Sequence, residues 1–120
     1  MKVELENVKP MDIEKRSFEI ITKELGDTPL IPGTELVVKR CIHTSADFDY
    51  AKNLCFSEHA VEKAIEAIKE GACIVTDTQM AKAGINKRAL ARYGGEVYCF
   101  MSDEDVARKA KENGTTRATA

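Results

Sequence analysis

Gly71-Ala72-Cys73-Ile74-Val75-Thr76-Asp77-Thr78-Gln79-Met80 is the stretch whose reading decides the architecture. Residues 72–76 form a continuous apolar run opened by a glycine and closed by polar residues, which predicts a strand buried on both faces, as in a parallel sheet. Upstream, Ser57 is placed to cap a helix whose Val61, Ala64, Ile65 and Ile68 make an apolar stripe closed by Gly71, and Leu54-Cys55-Phe56 reads as a short strand. Downstream, a short helix follows Asp77-Thr78 and ends at Gly84. Val97-Tyr98-Cys99-Phe100-Met101 is a further buried strand, and Ser102 with Asp105 three residues on predicts a capping-box-like helix start, running to Glu112. Strands alternating with helices mean parallel strands joined by right-handed crossovers. The fold class is therefore α/β, a parallel sheet with flanking helices, in a single domain over residues 1–120. Ligands of such sheets bind at the carboxyl ends of the strands, here Ser57, Asp77-Thr78 and Ser102-Asp103.

The first half of the chain reads as helical. Pro10 to Leu25 has Asp12 as N-cap, Phe18, Ile21 and Leu25 at i, i+3 and i+7, and Gly26 as the left-handed stop. A turn-rich loop, Gly26 to Gly33, leads to Thr34, which is placed to cap a second helix with Glu35 in its first turn. Leu36, Val37, Arg40, Cys41 and Thr44 recur at helical spacing, while the β-branched pair Val37-Val38 favours a strand. If the segment is helical, Arg40, His43, Thr44 and Asp47 share one face.

Composition bounds the function. The 120 residues are 43% hydrophobic and 32% charged with a net charge of −2, which suits a globular domain and gives no bulk attraction to nucleic acid. An anionic ligand needs a local cluster of cations instead. Residues 1–9 alternate charge with Val and Leu, a pattern that matches neither a signal peptide nor a membrane span. Cys41, Cys55, Cys73 and Cys99 are widely spaced among apolar neighbours, as expected of buried, reduced thiols in a cytoplasmic protein.

The densest chemistry lies in Lys39-Arg40-Cys41-Ile42-His43-Thr44-Ser45-Ala46-Asp47-Phe48-Asp49-Tyr50. His43 is the candidate for proton transfer, because an imidazole titrates near neutrality, and Asp47 at i+4 is placed to accept from one ring nitrogen. His59 has no clustered partner in the sequence and reads as structural. A metal site from His43, Asp47 and Asp49 is a weak signal without a second histidine or a cysteine at fixed spacing. Cys41 and His43 fall on different helix faces and do not make a nucleophile–base pair. Gly94-Gly95 lacks the companions of a phosphate loop.

Five collinear motifs carry a resemblance. They are Glu14-Lys15-Arg16-Ser17-Phe18-Glu19-Ile20-Ile21, then Val38 to Asp47, Asn53-Leu54-Cys55-Phe56-Ser57, the stretch from Gly71 through Met80 with Ala83-Gly84-Ile85, and Gly114-Thr115-Thr116-Arg117-Ala118. Together they resemble precorrin-8X methylmutases. The resemblance implies a three-layer α/β fold and an isomerase step of corrin (vitamin B12) biosynthesis. A methyl group migrates from carbon eleven to carbon twelve of precorrin-8X or cobalt-precorrin-8, giving hydrogenobyrinic or cobyrinic acid, with no cofactor. It implies that His43 is the acid–base group and that substrate contacts fall on Ser17 and Arg40, and also on Arg16, Thr78, Thr116 and Arg117. The implied partners are a corrinoid substrate and a second copy of the chain, as a homodimer or higher homo-oligomer. Residue chemistry is compatible with this, since a broad apolar ring bearing carboxylates needs arginine forks and hydroxyls around an apolar slot.

Family members continue beyond the arginine matched by Arg117 through further strands and glycine-rich turns, so the C-terminal part of the family fold is expected to be missing from these residues. The rival expectations are a non-catalytic corrinoid-binding module and a half-enzyme that assembles with a complementary chain.

Overall fold

The computed structural model describes residues 4–120. They form two compact units, the first ending at Val61 and the second running Glu62–Ala120.

In the first unit, Pro10 opens a 3-10 turn, Pro10–Asp12, that leads directly into α1 (Ile13–Leu25). Proline suits a first helical position because its fixed φ is helical and its missing N–H is not needed there. α1 stops as expected at Gly26, whose φ of 52° carries the chain out of the helix. α2 is Glu35–Ser45. Thr34 precedes it but does not cap it through its side chain: the hydroxyl donates to the Ile31 carbonyl at 2.6 Å and secures the preceding turn. The strand tendency of Val37-Val38 loses because Val38 and Ile42, one helical turn apart, bury themselves against Ile21 and Leu25 of α1, at 2% and 1% exposure. α2 ends at Ser45, because Ala46 turns left-handed (φ 57°) and its N–H returns to the Ile42 carbonyl.

A short α3 (Tyr50–Asn53), which the sequence did not announce, follows. The expected strand at residues 54–56 does not form. Leu54 is extended, yet no strand pairs with it among the described residues, and Leu54 and Phe56 pack against the helical core instead.

α4 (Ala60–Lys69) starts in the first unit and continues into the second. It begins later than a Ser57 cap predicts, since His59 adopts a φ of 56° and interrupts the helical path. Its apolar stripe is less covered than expected, with Ala64 and Ile65 exposed and Val61 and Ile68 half-buried.

The second unit contains β1 (Ile74–Val75) and β2 (Val97–Tyr98), paired in parallel with Ile74 opposite Val97 and Val75 opposite Tyr98. The crossover between them carries α5 (Gln79–Gly84) and α6 (Lys87–Ala91), and α7 (Glu104–Asn113) follows β2. Thr78 Oγ1 accepts from the Ala81 N–H at 3.1 Å to cap α5. Asn86 caps α6 by accepting from the Ala89 N–H at 3.0 Å. Two glycines let the crossover ends approach. A Cβ on Gly71 (φ +87°) would lie 2.9 Å from the Tyr93 carbonyl oxygen, and one on Gly95 2.8 Å from that of Ala72.

The class is α/β with a parallel sheet, but the strands are shorter and barer than their apolar runs predict. Val97 and Cys99 are buried, whereas Tyr98 and Phe100 stand exposed on the other face with rings stacked 5.8 Å apart, and Val75 is 61% exposed. The other cysteines are not buried as expected: Cys41 is half-buried, and Cys55 and Cys73 are exposed. Ser102 does not cap α7; its hydroxyl accepts from Gln79 Nε2 at 3.2 Å across the carboxyl ends of the strands.

Candidate active site

The packing of α1 on α2 brings Ser17 and His43 together. Ser17 Oγ lies 2.7 Å from His43 Nδ1, in a half-buried pair linking residues 26 apart in sequence. Asp47 is not the partner expected for that nitrogen. The helix has ended before Asp47, whose carboxylate accepts instead from the Asp49 N–H at 2.9 Å. His43, Asp47 and Asp49 are accordingly not gathered as metal ligands among the described residues.

His43 and Ser17 line a groove of about 450 Å³. Its walls are apolar, from Ile13, Ile20, Ile21, Ile42, Phe48 and Val8, and its rim carries Arg16, Glu6 and Glu24. A concave apolar surface with a few converging polar groups is the usual form of a small-molecule site. The Phe18 ring is tilted against the His43 imidazole, 5.7 Å between centroids, and the Arg40 guanidinium sits over the Phe18 ring, 4.9 Å from its centroid. Arg40 Nη2 donates to Glu14 Oε1 at 2.6 Å. That bond is the chief reason the Glu14 carboxyl is held below its ordinary range and the Arg40 guanidinium above its own. Arg40 thus contacts Glu14 and Phe18, which in turn meets His43, and is not one of the residues that line the groove. Arg16, which does line it, is bound by Glu6 and, more loosely, by Glu19.

Thr78, Thr116 and Arg117 lie in the second unit. Thr78 is occupied as the α5 cap. Thr116 Oγ1 pairs with Thr119 Oγ1 at 3.0 Å, and Arg117 Nη1 donates to the Met101 carbonyl at 3.0 Å. Arg117 lines a second hollow of about 470 Å³ at the carboxyl ends of β1 and β2, with Val75, Asp77, Phe100 and Asp103. This is the end of a parallel sheet where ligands are expected.

Glu14 and Phe18 escaped the sequence reading as site residues. The signal was present: they flank Ser17 on α1 at i and i+4, one turn apart, but nothing in the sequence showed that α1 would meet Arg40 and His43.

A family model described as precorrin-8X methylmutase matches residues 12–120. The chain is similar to a cobalt-precorrin-8 methylmutase of Priestia megaterium, 42% identical over 92% of this chain and 49% of that protein. It is likewise 44% identical to one of Salmonella typhimurium, over 92% of this chain and 55% of the relative. Among solved structures, a precorrin-8x methyl mutase from Thermus thermophilus superimposes with a TM-score of 0.79 at 39% identity, over 90% of this chain and 52% of that one. The chain spans about half the length of the relatives it matches. On the extent of the family match and these identities, the chain belongs to the precorrin-8X methylmutase family.

Proposed function

We propose that the chain binds a corrinoid in the groove beside His43 and takes part in the isomerisation of precorrin-8X or cobalt-precorrin-8. The observation that carries this is the Ser17–His43 pair set into an apolar groove with an arginine on its rim. A serine hydroxyl both donates and accepts, so it satisfies Nδ1 in either state of the imidazole. Nε2 is then the atom that lends a proton to a ring nitrogen of the substrate and takes it back. Lending it draws electron density into the conjugated ring while the methyl group breaks its bond to carbon eleven and forms one to carbon twelve. No atom is gained or lost. The apolar walls suit the plane of the macrocycle, and Arg16 suits one of its carboxylates. Arg117, at the mouth of its own hollow, and the hydroxyls of Thr78 and Thr116 are proposed as further substrate contacts. Arg40 acts through its stack on Phe18. We place the protein in the cytoplasm as a homodimer or higher homo-oligomer.

A titration with hydrogenobyrinic acid followed by absorbance tests the reading. A saturating spectral shift is expected, altered in His43→Ala. A methyl-migration assay should show the rate of His43→Ala down by about 10²–10⁴, the usual worth of a positioned acid–base group, with a smaller loss of affinity. A folded chain that leaves the spectrum unchanged would refute corrinoid binding by these residues alone. The bare face of the two-stranded sheet favours a second reading, in which turnover needs a complementary polypeptide covering Val75, Tyr98 and Phe100. Binding without methyl migration is its signature.

A further inference from the structure

Arg16, at the rim of the groove, already holds a carboxylate. Its Nε donates to Glu6 Oε1 at 2.7 Å and its Nη2 to Glu6 Oε2 at 3.3 Å, the fork geometry with which arginine takes a carboxylate ligand. Glu6 belongs to no helix or strand. It lies in the stretch of residues 4–9 that precedes the 3-10 turn, and both Glu6 and Val8 line the same groove as Ser17 and His43. This stretch therefore forms one wall of the groove, tied to α1 by the Glu6–Arg16 pair.

The other arginine of the site is held differently. Arg40 and its partner Glu14 sit on α2 and α1, whose backbones are fixed by a shared buried core even though the pair itself is exposed. Glu6 can leave by a rearrangement of an irregular segment. Both partners of its pair are substantially exposed, 42% for Arg16 and 57% for Glu6, and pairs of that kind are weak. Replacing one carboxylate by another on the same fork conserves the charge balance of the rim, where Glu24 also stands.

We propose that Glu6 is an internal competitor for a carboxylate subsite on Arg16: a ligand carboxylate replaces it there, and residues 4–9 move off the groove as it binds. The identity of the ligand as a corrinoid rests on the function proposed above; the exchange itself does not. Glu6 thereby sets specificity. A ligand with an apolar body and a correctly placed carboxylate displaces it, and an apolar body alone does not.

The test uses the chain with Glu6→Gln, Arg16→Gln and the double variant. Each is titrated with tricarballylate, observed at the Arg16 Nε–H in ¹⁵N NMR, and with hydrogenobyrinic acid, observed by absorbance. Glu6→Gln should tighten tricarballylate binding by about two- to fivefold, the exposed pair's strength expressed as an affinity ratio, and the gain should vanish in the Arg16→Gln background. Saturating the unsubstituted chain should lower the heteronuclear NOE of residues 4–9. Unchanged or weaker binding by Glu6→Gln, no Arg16 Nε–H response in either form, or an unaltered NOE overturns the proposal. Tricarballylate exchange without corrinoid binding upholds it while refuting the corrinoid reading.

Discussion

At the residue scale, the site depends on how two side chains hold a third. Ser17 fixes Nδ1 of His43, so Ser17→Ala should leave the ring free to change tautomer and rotamer. We expect altered ¹⁵N shifts of both ring nitrogens and a loss of corrinoid affinity of about 0.5–1.5 kcal/mol, the net worth of one hydrogen bond. Unaltered ring shifts would show that the serine does not set the tautomer. Glu14 gives a pH prediction. Its carboxyl is depressed in the folded chain by the bond to Arg40, so it binds protons less readily folded than unfolded. That contribution to stability is complete above the ordinary carboxylate range and fades as pH falls through the depressed value. Thermal unfolding of the unsubstituted chain should thus lose stability on acidification in a component absent from Glu14→Gln, and coincident pH profiles would count against it. His43 stood out in the sequence as a candidate, because its imidazole lies among cations and hydroxyls. Its partner was not. Asp47 at i+4 was the local choice, and only the left-handed Ala46 and the approach of α1 made Ser17 the actual one.

At the element scale, the α/β class and the places of β1, β2, α1, α2, α4, α5 and α7 could be read from apolar period and punctuation, whereas lengths and covering could not. Apolar runs at residues 72–76 and 97–101 report a propensity to be buried on both faces, but burial requires neighbours, and among the described residues two of each run find a ladder partner. The short α3 and α6 have no periodic signature to read, and Leu54-Cys55-Phe56 shows an extended sequence absorbed by a helical core for want of a pairing strand. Gly71 and Gly95 carry more of the second unit than their size suggests. Gly71→Ala should cost about 1–3 kcal/mol, from left-handed strain and from pressing the new methyl against the Tyr93 carbonyl. Gly84→Ala, with open space at its Cβ position, is the control and should cost far less. Equal denaturant midpoints for the two variants would refute the close approach.

On the scale of the whole molecule, several large apolar side chains stand open to solvent. Val75, Tyr98 and Phe100 share one side of the sheet, and Ile65 and Met80 are also open to solvent. Parallel strands are ordinarily covered on both faces, and open edges pair with other chains. We expect concentration-dependent association by sedimentation velocity and bright anilinonaphthalene sulfonate fluorescence from the dilute chain, both reduced in Phe100→Ser. A monodisperse, dye-silent monomer at high concentration would show that this surface needs no cover. What no residue pattern disclosed at this scale was the extent of covering itself, because covering depends on contacts between elements distant in the chain and not on the apolar runs alone.

The stacked pair on that open side has an optical consequence. The chain contains no tryptophan and three tyrosines, so its ultraviolet emission is phenolic. Tyr98 donates to the Glu96 carboxylate, which keeps its phenol above the usual titration range in the ground state. Excited phenols are stronger acids, and a carboxylate already on the hydroxyl is positioned to take the proton within the excited-state lifetime. Tyr98 should therefore glow as a tyrosinate, red-shifted from its two siblings, and go dark or shift when anything is laid over the sheet. The molecule carries a built-in lamp on the exposed face of its sheet.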